Sequence, residues 1–156
     1  MNYGGYNSLD VLNGEGTRCS LFVSGCDHNC KGCFSKHTQN PNYGELYTQE
    51  LEDQILVDLK DTRIKRQGIT LSGGDPLYPA NIGALTKLCK RIKAETEADI
   101  WLWTGYVAAE LPAASEELMS MVDVLIDGKF VQDLYDPELK WRGSSNQNVI
   151  YMEKGR

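Results

Sequence analysis

No stretch of the 156-residue chain stays apolar for the about 20 residues that cross a bilayer. The opening MNYGGYNSLD has neither a basic n-region nor an apolar h-region, so no secretory leader is expected and the protein is expected in the cytoplasm. Positive charge is in short supply too. Sixteen Lys and Arg stand against 22 Asp and Glu, a net charge of −6, which argues against nucleic-acid binding, where cations displace counterions from phosphates. The mildly basic stretch 87–93 reads as the solvated face of a helix. Linkers and internal repeats are missing, and a hydrophobic share of 41% with 24% charged residues is ordinary for a globular chain, so residues 1–156 read as a single domain. The five cysteines lack the spread of a secreted disulfide framework. Three of them crowd into positions 26–33, and in a reducing compartment such crowding points to metal.

Around that cluster the hydrophobic pattern alternates between two periods. Cys19, Leu21 and Val23 form the inward side of a predicted strand running directly into the cysteine loop, with Arg18, Ser20 and Ser24 on the other parity. A helix is expected after the loop, and Leu51, Ile55 and Leu59 mark another, capped by Thr48 and ending before Gly68. Residues 69–71 read as a short buried strand, and Leu85, Leu88, Cys89 and Ile92 as the stripe of the next helix. Strands are expected over 100–103, 122–126 and 149–151, with a short helix capped by Ser115 and carrying Glu116 and Glu117 in its first turn. Such alternation predicts an α/β fold with a parallel sheet, open or bent into a partial barrel. The unusual segments, namely the cysteine loop, 72–76, Thr104-Gly105 and Asp127-Gly128, follow strand C-termini, the edge where α/β folds bind ligands.

The loop reads Ser24-Gly25-Cys26-Asp27-His28-Asn29-Cys30-Lys31-Gly32-Cys33-Phe34, a C-x3-C-x2-C spacing. Three thiolates this close either converge on one centre or repel each other, and Gly25 and Gly32 permit the turns that aim them inward. Three ligands to an iron-sulfur cluster leave one iron open, which suggests chemistry more than storage. A structural zinc formed by the cysteines with His28 or His37 is the alternative, but the second knuckle usual in such sites is missing. Cys19 and Cys89 fall in apolar patterns and read as buried small hydrophobes. His28 reads as a solvent-facing loop residue, and neither histidine gains a catalytic role from its sequence context.

These residues resemble the radical S-adenosylmethionine superfamily. Asn13-Gly14-Glu15-Gly16-Thr17-Arg18, Phe22-Val23-Ser24-Gly25-Cys26, Ser72-Gly73-Gly74-Asp75-Pro76, Trp103-Thr104-Gly105-Tyr106, Asp127-Gly128 and Arg142-Gly143-Ser144-Ser145-Asn146-Gln147 are together similar to the activating proteins of anaerobic ribonucleoside-triphosphate reductases. The resemblance spans nearly the whole chain, and its last segment is the one most particular to that family. It implies a partial (β/α) barrel of radical SAM type and a [4Fe-4S] cluster on Cys26, Cys30 and Cys33 whose open iron binds S-adenosylmethionine. It also implies reductive cleavage of that cofactor to a 5'-deoxyadenosyl radical that takes hydrogen from a glycine of the large reductase subunit, with reduced flavodoxin as electron donor. Gly73, Gly74 and Asp75 are implied to meet the cofactor ammonium, Asp75 standing where Glu is commoner. Gly32, Cys33 and Phe34 are implied to flank its adenine side. Asp127 and Lys129 are implied to support its carboxylate. Taken alone, the residues also allow Gly-Gly and Asp-Gly as plain turns, Phe34 as a core anchor and Lys129 as a solvated charge. An activase of formate-lyase type and a non-catalytic iron-sulfur or metal-binding module are the rival readings; the cysteines are too few for a further cluster.

Overall fold

The structure is a computed structural model that describes residues 1–153. Its elements run β1 (Asn2–Asp10), β2 (Arg18–Val23), β3 (Glu45–Leu46), α1 (Gln49–Leu59), β4 (Gly68–Gly73), α2 (Pro79–Glu95), β5 (Asp99–Trp103), α3 (Glu116–Met119), β6 (Val124–Asp127) and β7 (Asn148–Tyr151). The strands make one open sheet in the order β3-β1-β2-β4-β5-β6-β7. Only β2, β4, β5 and β6 run parallel to one another; β1, β3 and β7 pair antiparallel at the two margins. The parallel sheet expected from the sequence is thus found in the four central strands and corrected at the edges. β1 escaped notice because its Gly4-Gly5 pair is poor strand material and its register breaks twice against β2.

Strand alternation divides the sheet into two unlike faces. Cys19, Leu21, Val23, Ile69, Leu71, Ile100, Leu102 and Leu125 form the main core with Ile55, Leu56 and Leu59 of α1, Leu85, Leu88, Cys89 and Ile92 of α2, and Leu118 and Met119 of α3. Cys19 and Cys89 are buried there, as their parity predicts. Thr48 caps α1 by accepting from the Leu51 amide, whereas Ser115 turns its hydroxyl to the Pro112 carbonyl and leaves α3 without a side-chain cap. The basic stretch of α2 lies against acids, Arg91 on Glu52 at 3.0 Å and Lys93 on Asp123 at 2.6 Å. Among the described residues no helix is long and apolar enough to cross a membrane.

The other face carries no helix and is partly roofed by the loop 10–17. Arg18, fully buried, pins that loop: its guanidinium donates to the Glu15 carbonyl, Thr70 Oγ1, the Ile69 carbonyl and Asp99, and lies over the Trp101 ring. A buried guanidinium is tolerated only with its donors satisfied in this way. Trp101, Val124 and Ile126 make a second small core with Trp103, Trp141 and Val149. The helix expected directly after the cysteine loop is replaced by a single 3-10 turn, Lys36–Gln39. Its carbonyls are used elsewhere, Thr38 accepting from the Gly25 amide at 2.6 Å and Gln39 from the Cys26 amide at 3.1 Å, and Pro41 and Gly44 follow at once.

Candidate metal centre

The C-terminal ends of the four parallel strands converge on a cavity of about 310 Å³. β2 delivers the cysteine loop, β4 delivers Ser72, Gly73 and Gly74, β5 delivers Thr104 and Gly105, and β6 delivers Gly128 and Phe130. Cys26, Cys30 and Cys33 all line it. Each is preceded by a residue with positive φ, Gly25 at 104°, Asn29 at 50° and Gly32 at 76°. Left-handed backbone before every thiol is what turns the loop three times in eight residues, and Asn29 supplies it as the residue type that best substitutes for glycine there. At Gly25 the absent side chain matters twice, because a Cβ would also lie 2.8 Å from the Tyr78 ring.

The loop is tied from several elements. The Ser24 amide donates to Asn2, Asn81 Nδ2 donates to the Ser24 carbonyl at 2.8 Å, and the Asp75 amide donates to the Gly25 carbonyl at 2.7 Å. The Asp75 side chain, only 1% exposed, is the hub. Its Oδ1 accepts from the Leu77 amide at 2.8 Å; its Oδ2 accepts from Thr104 Oγ1 at 2.9 Å and the Gly105 amide at 3.0 Å, and pairs with His28 Nε2 at 2.5 Å. The carboxylate expected to face a cofactor ammonium thus also holds four groups of the protein itself. His28, expected in solvent, is instead a buried strut of the loop, its side chain 8% exposed and its ring edge-on to Tyr106 at 4.7 Å.

The remaining predicted residues are placed as follows. Phe34 is 72% exposed, so it is not a core anchor; it stands at the cavity mouth with Phe130 and Tyr135, at 5.1 and 5.7 Å between ring centroids. Asp127 is buried and accepts from the amides of Ala108 and Asn148, joining β6 to its neighbours. Lys129 is exposed, and its positive charge is felt at Cys30. His37 stacks on Tyr43. Burial pushes the Cys26 thiol up to about 11, against the pull of the His28 amide, with the Asp75 carboxylate adding to the rise. Burial also raises the Cys30 thiol, opposed by a hydrogen bond from the Phe130 amide and by Lys129. A metal bound by Cys26 and Cys30 would therefore displace their thiol protons.

The donor set fits an iron-sulfur cluster. Three thiols on one loop face a shared cavity, and the other two cysteines are sealed in the core. Cys26 Sγ, His28 and Asp75 also come within 4.8 Å of one another, but the imidazole and carboxylate already satisfy each other there. A larger cleft of about 810 Å³ at the opposite ends of β4 and β5 is walled by charges that pair among themselves, such as Arg66 with Asp61 and Lys60 with Glu95, and gathers no comparable donors.

Residues 12–150 match the model of the 4Fe-4S single cluster domain family. The chain is 58% identical over 153 residues to the anaerobic ribonucleoside-triphosphate reductase-activating protein of Escherichia coli, covering 97% of this chain and 99% of the relative. The chain belongs to that family. The Vibrio cholerae member is 57% identical over 96% of this chain and 97% of its own length, and that of Enterobacteria phage T4 is 43% identical over 96% and 93%. Within this activating-protein fold, sequence reasoning had placed the cysteines and the glycine turns at the site but not Asn81, His28 or Thr104 as its supports. Thr104-Gly105 at a strand end was a legible signal; for Asn81, inside an ordinary helix, there was none.

Proposed function

We propose that the protein activates anaerobic ribonucleoside-triphosphate reductase as a radical S-adenosylmethionine enzyme, with a [4Fe-4S] cluster on Cys26, Cys30 and Cys33. The observation that carries this reading is the set of three thiols, each aimed by a left-handed residue into one cavity, in a chain of this family. A reduced cluster held there would pass one electron to bound S-adenosylmethionine, whose sulfur–C5' bond would break to methionine and a 5'-deoxyadenosyl radical able to take a hydrogen atom from a glycine of the large reductase subunit. Reduced flavodoxin is the proposed electron source.

The chain's own residues bind and orient. The backbone at Gly73 and Gly74 borders the cavity and offers close approach to an ammonium, since neither carries a side chain. Asp75 serves by holding this turn, the loop and the end of β5 in one geometry. Gly32 and Phe34 border the adenine side. Lys129 offers the cation for a carboxylate, while Asp127 keeps its strand in place. We read the open sheet, with its helices on one face, as a partial barrel of radical SAM type whose mouth the reductase closes against water.

Anaerobic reconstitution with iron and sulfide, followed by a reductant and S-adenosylmethionine, should yield 5'-deoxyadenosine; none would leave a non-catalytic cluster module. Adding the large reductase subunit should then produce a glycyl radical signal by electron paramagnetic resonance. A signal only with a formate-lyase-type partner would reassign the activase.

A further inference from the structure

Three aromatic rings stand together where the cavity opens. Phe34 and Phe130 both line it, and Tyr135 packs on each, at 5.7 and 6.2 Å between ring centroids. In the same stretch of chain as Tyr135, which is 50% exposed, Val131 and Leu134 are exposed at 38% and 43%. Apolar side chains left together at a surface in this way mark an interaction site, whereas single exposed ones are ordinary.

The patch is held in one conformation from below. The segment Arg142-Gly143-Ser144-Ser145-Asn146-Gln147 folds into a polar knot centred on Gln147, whose Oε1 accepts from the amides of Gly143 at 2.9 Å and Ser144 at 3.0 Å. The knot grips 128–131 by the backbone: Gln147 Nε2 donates to the Gly128 carbonyl at 2.9 Å, Asn146 Nδ2 to the Lys129 carbonyl at 2.8 Å, and the Val131 amide to Ser144 Oγ at 3.1 Å. Further along, the Ser145 amide donates to the Leu134 carbonyl at 2.9 Å, the Asp136 amide to the Gly143 carbonyl at 3.1 Å, and Tyr135 bridges Ser144. Gly143 fits under the rings themselves, since a Cβ there would lie 2.9 Å from the Phe130 ring and 3.4 Å from that of Phe34. A surface ordered in advance loses less conformational freedom when a partner arrives.

We propose that Phe34, Phe130, Val131, Leu134 and Tyr135 are the docking surface for the segment of the large reductase subunit that carries the target glycine, and that this segment brings apolar side chains beside that glycine. The inference rests on the function proposed above. A hydrogen atom passes only between atoms in contact, about 3–3.5 Å apart, so the target backbone has to enter the cavity itself. It enters past the patch, because two of the rings belong to both cavity and patch. Apolar side chains flanking the glycine cover the rings and keep water from the mouth, as the neighbours of an interface anchor do. Val57, also exposed but on α1, does not border the cavity and serves as the control.

The test measures binding of the purified large subunit to the reconstituted protein, with 5'-deoxyadenosine formed in the absence of the reductase as a second readout. Loss of a dominant interface anchor weakens binding about 30-fold. We expect about that loss in the double variant Leu134→Ala/Tyr135→Ala, a smaller one in each single variant, and none in Val57→Ala. The 5'-deoxyadenosine formed alone should match the wild type throughout, and glycyl radical formation by the double variant should recover as the reductase concentration is raised. Should Tyr135→Ala not fold, weaker binding by Leu134→Ala alone supports the same surface and unchanged binding overturns it. Affinity of the double variant within about threefold of wild type, or a loss matched by Val57→Ala, would overturn the proposal. So would normal reductase binding with lost self-association or lost reduction by flavodoxin, which would give the patch to a second copy of the chain or to the electron donor. A wild type that binds the reductase but forms no 5'-deoxyadenosine would instead overturn the function proposed above, while the binding series still decides the docking surface.

Discussion

Replacing Asp75 by alanine is the sharpest test of how the site is held. The carboxylate accepts from the Leu77 and Gly105 amides, the Thr104 hydroxyl and His28, so truncation orphans four donors at once. A buried donor left without its acceptor costs about 1–3 kcal/mol. Leu77 is fully buried and bears the full penalty, whereas Gly105 and His28 border the cavity, where water can reach them, and the Thr104 hydroxyl can rotate. The sum is about 3–5 kcal/mol, a large part of the about 5–15 kcal/mol that holds a typical domain together. Urea denaturation of metal-free protein reads this directly. With a slope of about 2 kcal/mol/M, the midpoint should fall by about 2 M. Asp75→Asn keeps one acceptor oxygen and should fall between. Both should also take up less iron, because His28 no longer anchors the loop. A midpoint shift equivalent to less than about 1 kcal/mol in Asp75→Ala would refute the hub and return the carboxylate to direct cofactor contact.

Cys26→Ala, Cys30→Ala and Cys33→Ala should each abolish the cluster's visible absorbance, while Cys19→Ala and Cys89→Ala retain it and lose on the order of 1 kcal/mol of stability; iron loss in Cys19→Ala would contradict its place in the core. Burial pushes the Cys89 thiol up to about 12 from an ordinary value of 9.0. Its stabilising contribution is therefore complete below pH 9 and is lost as pH rises toward 12, at about 1.4 kcal/mol per pH unit. Denaturation of metal-free wild type and Cys89→Ala at pH 8 and 10 should show the shallower fall in the variant. Gly73→Ala should cost about 3 kcal/mol or more, since φ is 103° and the new Cβ would meet the Val23 carbonyl oxygen at 2.5 Å; a folded variant of unchanged melting temperature would show that the turn can relax.

Much of this arrangement is legible in the residues because it is local. The alternation through Cys19, Leu21 and Val23, the stripe through Leu85 and Ile92, and the glycines before Cys26 and Cys33 each depend on near neighbours along the chain. What escaped depends on distant ones. β1 is made a strand by pairing with β2, despite Gly4-Gly5. The turn 36–39 is held short of a helix by carbonyls lent to the cysteine loop. His28 looks like any loop histidine until Asp75, 47 residues further on, is brought against it. The polar segment 142–147 reads as a turn, and only its grip on 128–131 reveals what its side chains do.

The anchoring of the cysteine loop also fixes an order of events in making the protein. Its supports are Asn81, 57 residues from Ser24, and Asp75, 47 from His28. Such contacts close late, after the sheet has been assembled through pairings of high sequence separation. A short peptide of the loop therefore lacks nearly everything that aims its thiols. A cluster assembled on Cys26, Cys30 and Cys33, as proposed, would need that finished scaffold.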